Sequence, residues 1–252
     1  MANDNGGSRG AAPIAVHLSL QGKGGVGKSL IAAILAQYLH DRGHEVQCVD
    51  TDPVNQTFSQ YSALNVCHLE LLSEGRIDPR AFDLLMERLL TEEGLFVVDS
   101  GASTFVPLWY YILENNVVNA LRDAGRRLFV HSVITGGQAL IDTLSGFGEL
   151  AKTTPDRNVI VWVNEYFGPV QDNGKRFIDM RVFRDNEEKV AGTVAIPKRS
   201  VDTFGRDVEE MLRRKLTFGE AIISPEFSIM ARQRLKVVRA DLFEQLDGLR
   251  LT

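Results

Sequence analysis

The stretch Gln21-Gly-Lys-Gly-Gly-Val-Gly-Lys-Ser29 decides the fold of this chain. Its last eight residues fit the phosphate-loop pattern G-x-x-x-x-G-K-[ST]. A polyphosphate needs several backbone N–H groups pointed at its oxygens, and glycine lets the backbone approach that closely. The four glycines therefore predict a loop that wraps around phosphate groups. The residues predicted to bind them are Gly22, Lys23, Gly24, Gly25, Val26, Gly27, Lys28 and Ser29.

The segments on either side of the loop have the secondary structure that such a site requires. An apolar, β-rich run over residues 14–20 predicts a strand, and apolar residues recur at helical spacing after Ser29. A helix that begins near Lys28 directs the positive end of its dipole at a bound anion. In this arrangement Lys28 reaches the β- and γ-phosphates, and the Ser29 hydroxyl holds Mg²⁺.

The length and composition are those of a single globular domain. With 252 residues, of which 44% are hydrophobic and 24% charged, the chain is long enough for one large core and short for two. We expect one domain over residues 13–252, after a disordered Gly-, Asn- and Ser-rich tail over residues 1–12. A net charge of −5 argues against a dedicated nucleic-acid-binding protein. The sequence contains no signal peptide, membrane-span pattern or metal-type cysteine pair, which predicts a cytoplasmic protein.

Strand-like and helix-like segments alternate after the loop. Strands are predicted over residues 45–50, 95–99, 127–134, 158–163 and 189–196. Helices are predicted over residues 79–90, 138–150 and 175–188, two helices within residues 105–124, and mainly helical chain after residue 196. Strands that are apolar throughout and are separated by helices predict a mostly parallel sheet covered on both faces. The expected fold is therefore a three-layer, doubly wound α/β sheet of the phosphate-loop NTPase type. In such sheets ligands bind at the carboxyl ends of the strands.

Acidic residues stand where two of these strands end. The second strand runs into Asp50-Thr-Asp52-Pro, and a later one ends at Asp99 before Ser-Gly101. Carboxylates in these places suit a Mg²⁺-nucleotide site, in which one assists the metal and another orients an attacking water. Aspartates that only cap a tight turn are the alternative for the first pair.

A polar side chain also follows the strand over residues 158–163. Asn164 offers both a donor and an acceptor, which suits the edge of adenine. An asparagine that caps a turn is the alternative.

The second lysine of the loop refines the class. Lys23 completes K-G-G-x-G-K-[ST], which resembles the deviant phosphate loop of the ParA/MinD family of ATPases. The resemblance implies ATP and Mg²⁺ as cofactors and an ATP-dependent homodimer, in which Lys23 reaches the partner's nucleotide. It also implies that Asp50 lies near the metal and that Asp52 positions the attacking water. Catalysis is thereby assigned to Lys23, Lys28 and Asp52, and the metal to Ser29, Asp50 and Asp99.

The same resemblance extends to the base pocket and has one departure. It implies that Asn164 contacts the base and that Pro197, in Ala-Ile-Pro197, lines the pocket around it. Where the family often continues D-x-D-P with Gln-Gly-Asn, this chain has Val54-Asn55-Gln56. The hydrolysis rate and the coupling to a partner are the properties that this departure affects.

Longer stretches resemble a family of conjugal-transfer proteins of broad-host-range plasmids. They include Asp-Thr-Asp-Pro-Val-Asn, Ser-Gly-Ala-Ser-Thr-Phe-Val-Pro-Leu and Thr-Gly-Gly-Gln-Ala-Leu, and the likeness covers residues 16–247. This resemblance implies a switch that positions or recruits a component of plasmid transfer, with conjugation proteins as partners.

Two other readings remain open at this point. One is a nucleotide sensor with negligible hydrolysis, and the other is a partition-type ATPase that uses DNA as its track. The candidate DNA-binding residues are those of the basic segments 213–215 and 232–239. Near the end of the chain, Ala231, Leu235, Val238, Leu242 and Leu246 form a helical stripe. We expect this stripe to pack against the domain rather than bind the inner membrane peripherally, because acidic residues occupy much of the polar face.

Overall fold

The computed structural model describes residues 14–252, so the tail predicted over residues 1–12 lies outside the described residues. Strands are Ala15–Ser19 (β1), Val46–Asp50 (β2), Cys67–His68 (β3), Leu72–Ser73 (β4), Arg76–Ile77 (β5), Leu95–Asp99 (β6), Arg127–Thr135 (β7), Val159–Asn164 (β8), Gln171–Asp172 (β9), Lys175–Arg176 (β10) and Val190–Ile196 (β11). Helices are Lys28–Asp41 (α1), Ala81–Thr91 (α2), Ala102–Glu114 (α3), Val117–Asp123 (α4), Leu140–Thr153 (α5), Arg181–Arg184 (α6), Arg206–Arg213 (α7), Phe218–Ile223 (α8) and Ile229–Asp247 (α9).

Seven of the strands form one sheet in the order β11-β8-β7-β1-β6-β2-β3. Every neighbouring pair in it is parallel, which confirms the predicted doubly wound fold. The strand β1 lies at the centre, with β6 on one side and β7 on the other. The chain leaves β1 where the strand order reverses, so the phosphate loop opens into the crevice where such sheets bind ligands.

Helices cover both faces of the sheet. On one face α1, α8 and α9 pack on a core that includes Phe129, Trp162 and Leu235. On the other face α2, α3 and α4 pack on a second core around Phe82, and α5 extends this layer toward β8. The predicted stripe of α9 is buried throughout, which confirms that this face packs against the domain. Within residues 14–252, the helices are all too short or too polar to cross a membrane.

The helix predicted over residues 175–188 is wrong. Asn173 and Gly174 adopt positive φ angles of 48° and 75° and turn the chain into the hairpin β9–β10. A 3₁₀ turn and the four-residue α6 then follow. Phe177 fills a separate site against Phe147 at an interplanar angle of 75°. The apolar residues of this segment therefore fill irregular gaps and do not form one helical face.

Candidate nucleotide-binding site

The backbone of the phosphate loop requires glycine at two places. Gly25 has a φ of 73° and Gly27 a φ of 110°, a region that residues with a Cβ rarely adopt. Gly27 is also the residue from which α1 begins, so the predicted start of the helix at Lys28 is confirmed. Val26 between them is 2% exposed and anchors the loop in the core. The loop thus has a fixed base and an open, glycine-built rim.

Lys28 is buried at the foot of this loop. It is 7% exposed, and its Nζ donates a hydrogen bond of 3.0 Å to the carbonyl oxygen of Lys23. Burial lowers the pKa of Lys28, while the carboxylates of Asp99 and Asp52 oppose that shift. The ammonium group therefore lies among opposite charges, on the inner side of the loop.

Gln21 supports the first residues of the loop, a role that sequence reasoning missed. Its Oε1 accepts the N–H of Gly22 at 2.9 Å, and its Nε2 donates to the carbonyl oxygens of Val133 and Thr143. The side chain is 1% exposed and ties the loop to β7 and α5. The sequence signal for this role is a side-chain amide placed directly after the apolar run over residues 14–20.

Asp50 organises the loop that follows β2. One of its oxygens accepts the N–H of Asp52 at 2.9 Å, and the other accepts the N–H and the hydroxyl of Ser59 at 2.9 and 3.0 Å. The carboxylate is fully buried and lies opposite Asp99 in the register of β2 and β6. Ser59 is a further residue that the sequence did not indicate. The metal role predicted for Asp50 stays a prediction.

Asp99 has the environment expected of a metal-assisting carboxylate. It is 1% exposed, and neither of its oxygens has a hydrogen-bond partner in the described part of the chain. Burial raises its pKa well above the usual range, and the nearby Asp50 adds to the shift, whereas Ser29 and Lys28 oppose it. An unpartnered buried carboxylate is unfavourable unless a cation or a proton compensates it. These side chains therefore fit a cation held beside Ser29.

Across the described ranges, no cluster of three or more histidine, cysteine or carboxylate side chains is placed to hold a metal ion by itself. This arrangement suits Mg²⁺, which keeps waters and binds through one or two protein groups together with phosphate oxygens. The ion would need the nucleotide to complete its ligand set.

Asp52 lies against the loop that follows β6. Its Oδ1 accepts the N–H groups of Val54 and Asn55 at 2.9 and 3.2 Å, and it is 8% exposed. A Cβ on Gly101 would lie 2.7 Å from that oxygen, so a side chain there would displace the Asp52 carboxylate. Gly101 therefore lies in contact with the predicted water-positioning residue.

Lys23 forms an ion pair that the sequence did not reveal. Its Nζ lies 2.7 Å from Oδ2 of Asp142 in the first turn of α5, and the two side chains are 46% and 55% exposed. The two residues are far apart in the sequence, and only the pairing of β1 with β7 brings them together.

Asn164 ends β8 underneath the phosphate loop. Its Nδ2 donates to the carbonyl oxygen of Val26 at 3.0 Å, and its Oδ1 accepts the N–H of Tyr166 at 3.1 Å. The side chain is 3% exposed. In this structure it braces the loop, and the predicted contact with the base stays a prediction.

Two cavities adjoin these residues. The first, of about 400 Å³, is lined by Gly24, Gly25, Gly27, Lys28, Ser29, Leu30, Asp52, Asn55, Thr57, Tyr61, Ala102, Leu212 and Lys215. The second, of about 290 Å³, is mainly apolar and contains the predicted base-pocket residue Pro197 beside Tyr166 and Phe204. Asp52 thus lines the same cavity as the phosphate loop, and Pro197 lines the second cavity. The side chains of Asp50, Asp99 and Asn164 are buried and line neither cavity.

Comparison with known proteins agrees with this geometry. The model of the CobQ/CobB/MinD/ParA nucleotide binding domain matches residues 19–213. Two proteins from Escherichia coli, both described as Protein TraL, are 48% and 47% identical to the chain over 92% of its length and 97% of theirs. The chain therefore belongs to the CobQ/CobB/MinD/ParA nucleotide-binding domain family and, within it, to the TraL proteins.

Solved structures show the same fold at low sequence identity. The MinC:MinD cell division protein complex of Aquifex aeolicus matches with a TM-score of 0.56 and 16% identity, over 96% of this chain and 98% of that one. A plasmid partition protein from Borrelia burgdorferi bound to AMPPNP matches with a TM-score of 0.52 and 15% identity, over 94% and 99%. These similarities concern the fold alone.

Proposed function

We propose that this protein is a Mg-ATP-dependent ATPase whose ATP-bound form dimerises and positions or recruits a component of conjugal transfer. The observation that carries the proposal is the buried Asp99, whose oxygens have no hydrogen-bond partner within residues 14–252 and which lies near Ser29 and Lys28 at a phosphate loop. Ser29 and Asp99 would hold Mg²⁺ together with the bound nucleotide, and the charge of the ion would compensate this carboxylate. Lys28 would contact the β- and γ-phosphates, and the loop N–H groups would hold their remaining oxygens.

Hydrolysis is assigned to the loop that carries Asp52. The carboxylate lines the cavity over the phosphate loop, where it can accept a hydrogen bond from a water directed at the γ-phosphate. Asp50 holds this loop through Ser59 and the N–H of Asp52. We therefore assign Asp52 to water positioning and Asp50 to metal coordination through water and to support of the loop.

The base is assigned to the side of the loop that Asn164 braces. Asn164 lies between Val26 and Tyr166, and Tyr166 lines the apolar cavity that contains Pro197. An apolar slot with a polar amide nearby suits adenine. For Asn164 to contact the base, its bond to Val26 or Tyr166 must be shared or exchanged.

Dimerisation is assigned to Lys23. Its ammonium group is half exposed at the rim of the loop, so it is accessible to a second subunit. We infer that ATP binding favours exchange of Asp142 for the partner's phosphates, because an exposed ion pair contributes little and phosphates carry more charge.

The transfer role rests on the similarity to the TraL proteins. A DNA-tracking role is less favoured, because many basic side chains of segments 213–215 and 232–239 form ion pairs. Arg213 and Arg214 pair with Glu210, Arg234 pairs with Asp207, and Arg239 pairs with Asp41.

Two measurements test the proposal. Phosphate release by the wild-type protein with Mg-ATP should exceed that of Asp52→Asn, and equal rates would leave a nucleotide sensor without turnover. A pull-down from cells that hold the complete transfer system should recover a transfer protein with ATP and lose it with ADP. Recovery that is the same with both nucleotides would contradict the switch.

A further inference from the structure

A group of arginines lies at the amino-terminal ends of the strands, on the side of the sheet that is opposite to the phosphate loop. Arg122 is in the last turn of α4, Arg126 directly precedes β7, and Arg127 is the first residue of that strand. Because β7 has nine residues, this side is about 30 Å from the carboxyl ends of the strands. Gly125, with a φ of 73°, turns the chain sharply between α4 and β7 and brings the arginines together.

These arginines line a cavity of about 340 Å³ together with Val118, Gly125, Leu128 and Asn158. Arg126 is only 7% exposed, and its Nε and Nη1 are buried without a hydrogen-bond partner among residues 14–252. A buried guanidinium without a partner is strongly unfavourable, and most such groups in folded proteins are paired. The cavity that Arg126 lines could therefore hold a ligand atom that accepts hydrogen bonds from its guanidinium group.

The charged residues that line this cavity are all arginines. Partial burial and the nearby Arg157 lower the pKa of Arg127, whose guanidinium lies 4.3 Å from the Phe129 ring centroid. Over the described residues, no carboxylate forms an ion pair with Arg122, Arg126 or Arg127. The nearby Asp156 is held by Lys189 at 2.6 Å. Residues 14–252 thus supply no ion-pair partner for these three arginines.

We propose that this arginine pocket, formed by Arg122, Arg126 and Arg127, binds the phosphoryl group of a small phosphorylated ligand. Guanidinium groups present planar pairs of donors that match phosphate oxygens. Three of them around one concave cavity fit a dianionic phosphate monoester better than a monoanionic carboxylate. The apolar walls of Val118 and Leu128 leave room for the body of the ligand.

Thermal unfolding of the full-length protein with inorganic phosphate as the probe tests this proposal. Saturating Mg-ADP keeps the phosphate loop filled, and ionic strength is held constant. The wild-type protein should show a saturable rise in Tm with phosphate and none with acetate. Arg126→Met should bind phosphate about tenfold or more weakly, since charge-assisted hydrogen bonds are lost. Arg76→Met, which removes an exposed arginine on β5, should behave like the wild type.

Arg126→Met should fold, because an apolar side chain replaces an unpaired buried charge, and its Mg-ADP affinity should be unchanged. Arg122→Gln, at the rim, is a second variant and should also weaken phosphate binding. A rise in Tm that is equal in the wild type and Arg126→Met would indicate general salt stabilisation and would overturn the proposal. Arg126-dependent binding of duplex DNA without saturable phosphate binding would overturn it as well.

Discussion

The two ends of the phosphate loop carry the same residue type in opposite surroundings. Lys28, at the end that enters α1, is 7% exposed and lies among the carboxylates of Asp99 and Asp52. Lys23, at the other end, is about half exposed and pairs with Asp142 on the surface. A buried charge is fixed by its neighbours, whereas an exposed one can change partners at little cost. We therefore assign affinity within one subunit to Lys28 and contact between subunits to Lys23.

The largest effect is expected from breaking the buried end. Lys28→Ala removes a charge from the phosphates and leaves Asp99 without its nearby cation, so Mg-ADP affinity should fall about 100-fold or more. Calorimetric titration measures this, with Lys236→Ala on the exposed face of α9 as a control of equal charge change. If Lys28→Ala binds as tightly as the control, the buried lysine does not bind the phosphates.

The wild-type protein should prefer ATP over GTP, and equal affinities would contradict the base contact of Asn164.

The next effect separates the two acidic elements at the buried end. Asp52→Asn keeps an oxygen for the N–H groups of Val54 and Asn55 but loses its charge, so Mg-ATP should still bind while turnover falls about 100-fold. Asp99→Asn should instead weaken binding only when Mg²⁺ is present. Titrations with and without Mg²⁺, together with phosphate release, distinguish the two. Equal loss of binding in both variants would contradict the separate roles of Asp52 in water positioning and of Asp99 in metal binding.

A smaller effect concerns two buried histidines in β1 and β7 and the pH dependence of stability. Nδ1 of His17 in β1 lies 3.0 Å from Nε2 of His131 in β7. Nδ1 of His131 accepts a hydrogen bond of 2.9 Å from the indole N–H of Trp162. Burial lowers the pKa of His17 from 6.5 to about 3 and that of His131 well below 6.5. At these two histidines the unfolded chain therefore binds more protons than the folded protein below pH 6.5. As the pH drops below 6.5, each histidine should lower the free energy of unfolding by about 1.4 kcal/mol per pH unit.

Urea unfolding across this range measures the slope. In His17→Leu the slope should be smaller than in the wild type by about 1.4 kcal/mol per pH unit, and the exposed His40→Gln should keep the wild-type slope. The raised pKa of Asp99 acts in the opposite direction, but it is common to all three proteins. A slope that is unchanged in His17→Leu would show that the buried pair does not carry the pH dependence.

The smallest effect sharpens the exposed end. Asp142→Asn frees Lys23 from its partner within the subunit, so the ATP-dependent dimer should form about two- to fivefold more tightly, as expected from the strength of exposed ion pairs. Sedimentation in Mg-ATP measures this, with Asp185→Asn as the control because it removes a carboxylate that pairs elsewhere, with Arg181. Weaker dimerisation of Asp142→Asn would mean that Asp142 belongs to the interface itself.

The loop and the sheet could be predicted because their signals are local. Residues 21–29 form a contiguous pattern, and strands such as Leu95–Asp99 are apolar up to their last residue. The partners of the site residues could not be predicted, since Asp142, Ser59 and Val26 meet Lys23, Asp50 and Asn164 only after the chain folds. The segment over residues 175–188 misled because its apolar spacing mimics a helix, while Asn173-Gly174 favours a hairpin.

The central claim is that Lys23 acts between subunits, and the mass of the protein in Mg-ATP tests it most directly. Light scattering compares Asp52→Asn, in which turnover is blocked, with the same protein carrying Lys23→Ala. Mg-ADP titration of both confirms an intact loop. We predict that Asp52→Asn is a dimer with ATP and a monomer with ADP, and that the Lys23→Ala form stays a monomer with either nucleotide. An ATP-dependent dimer of the same stability without Lys23 would contradict the account.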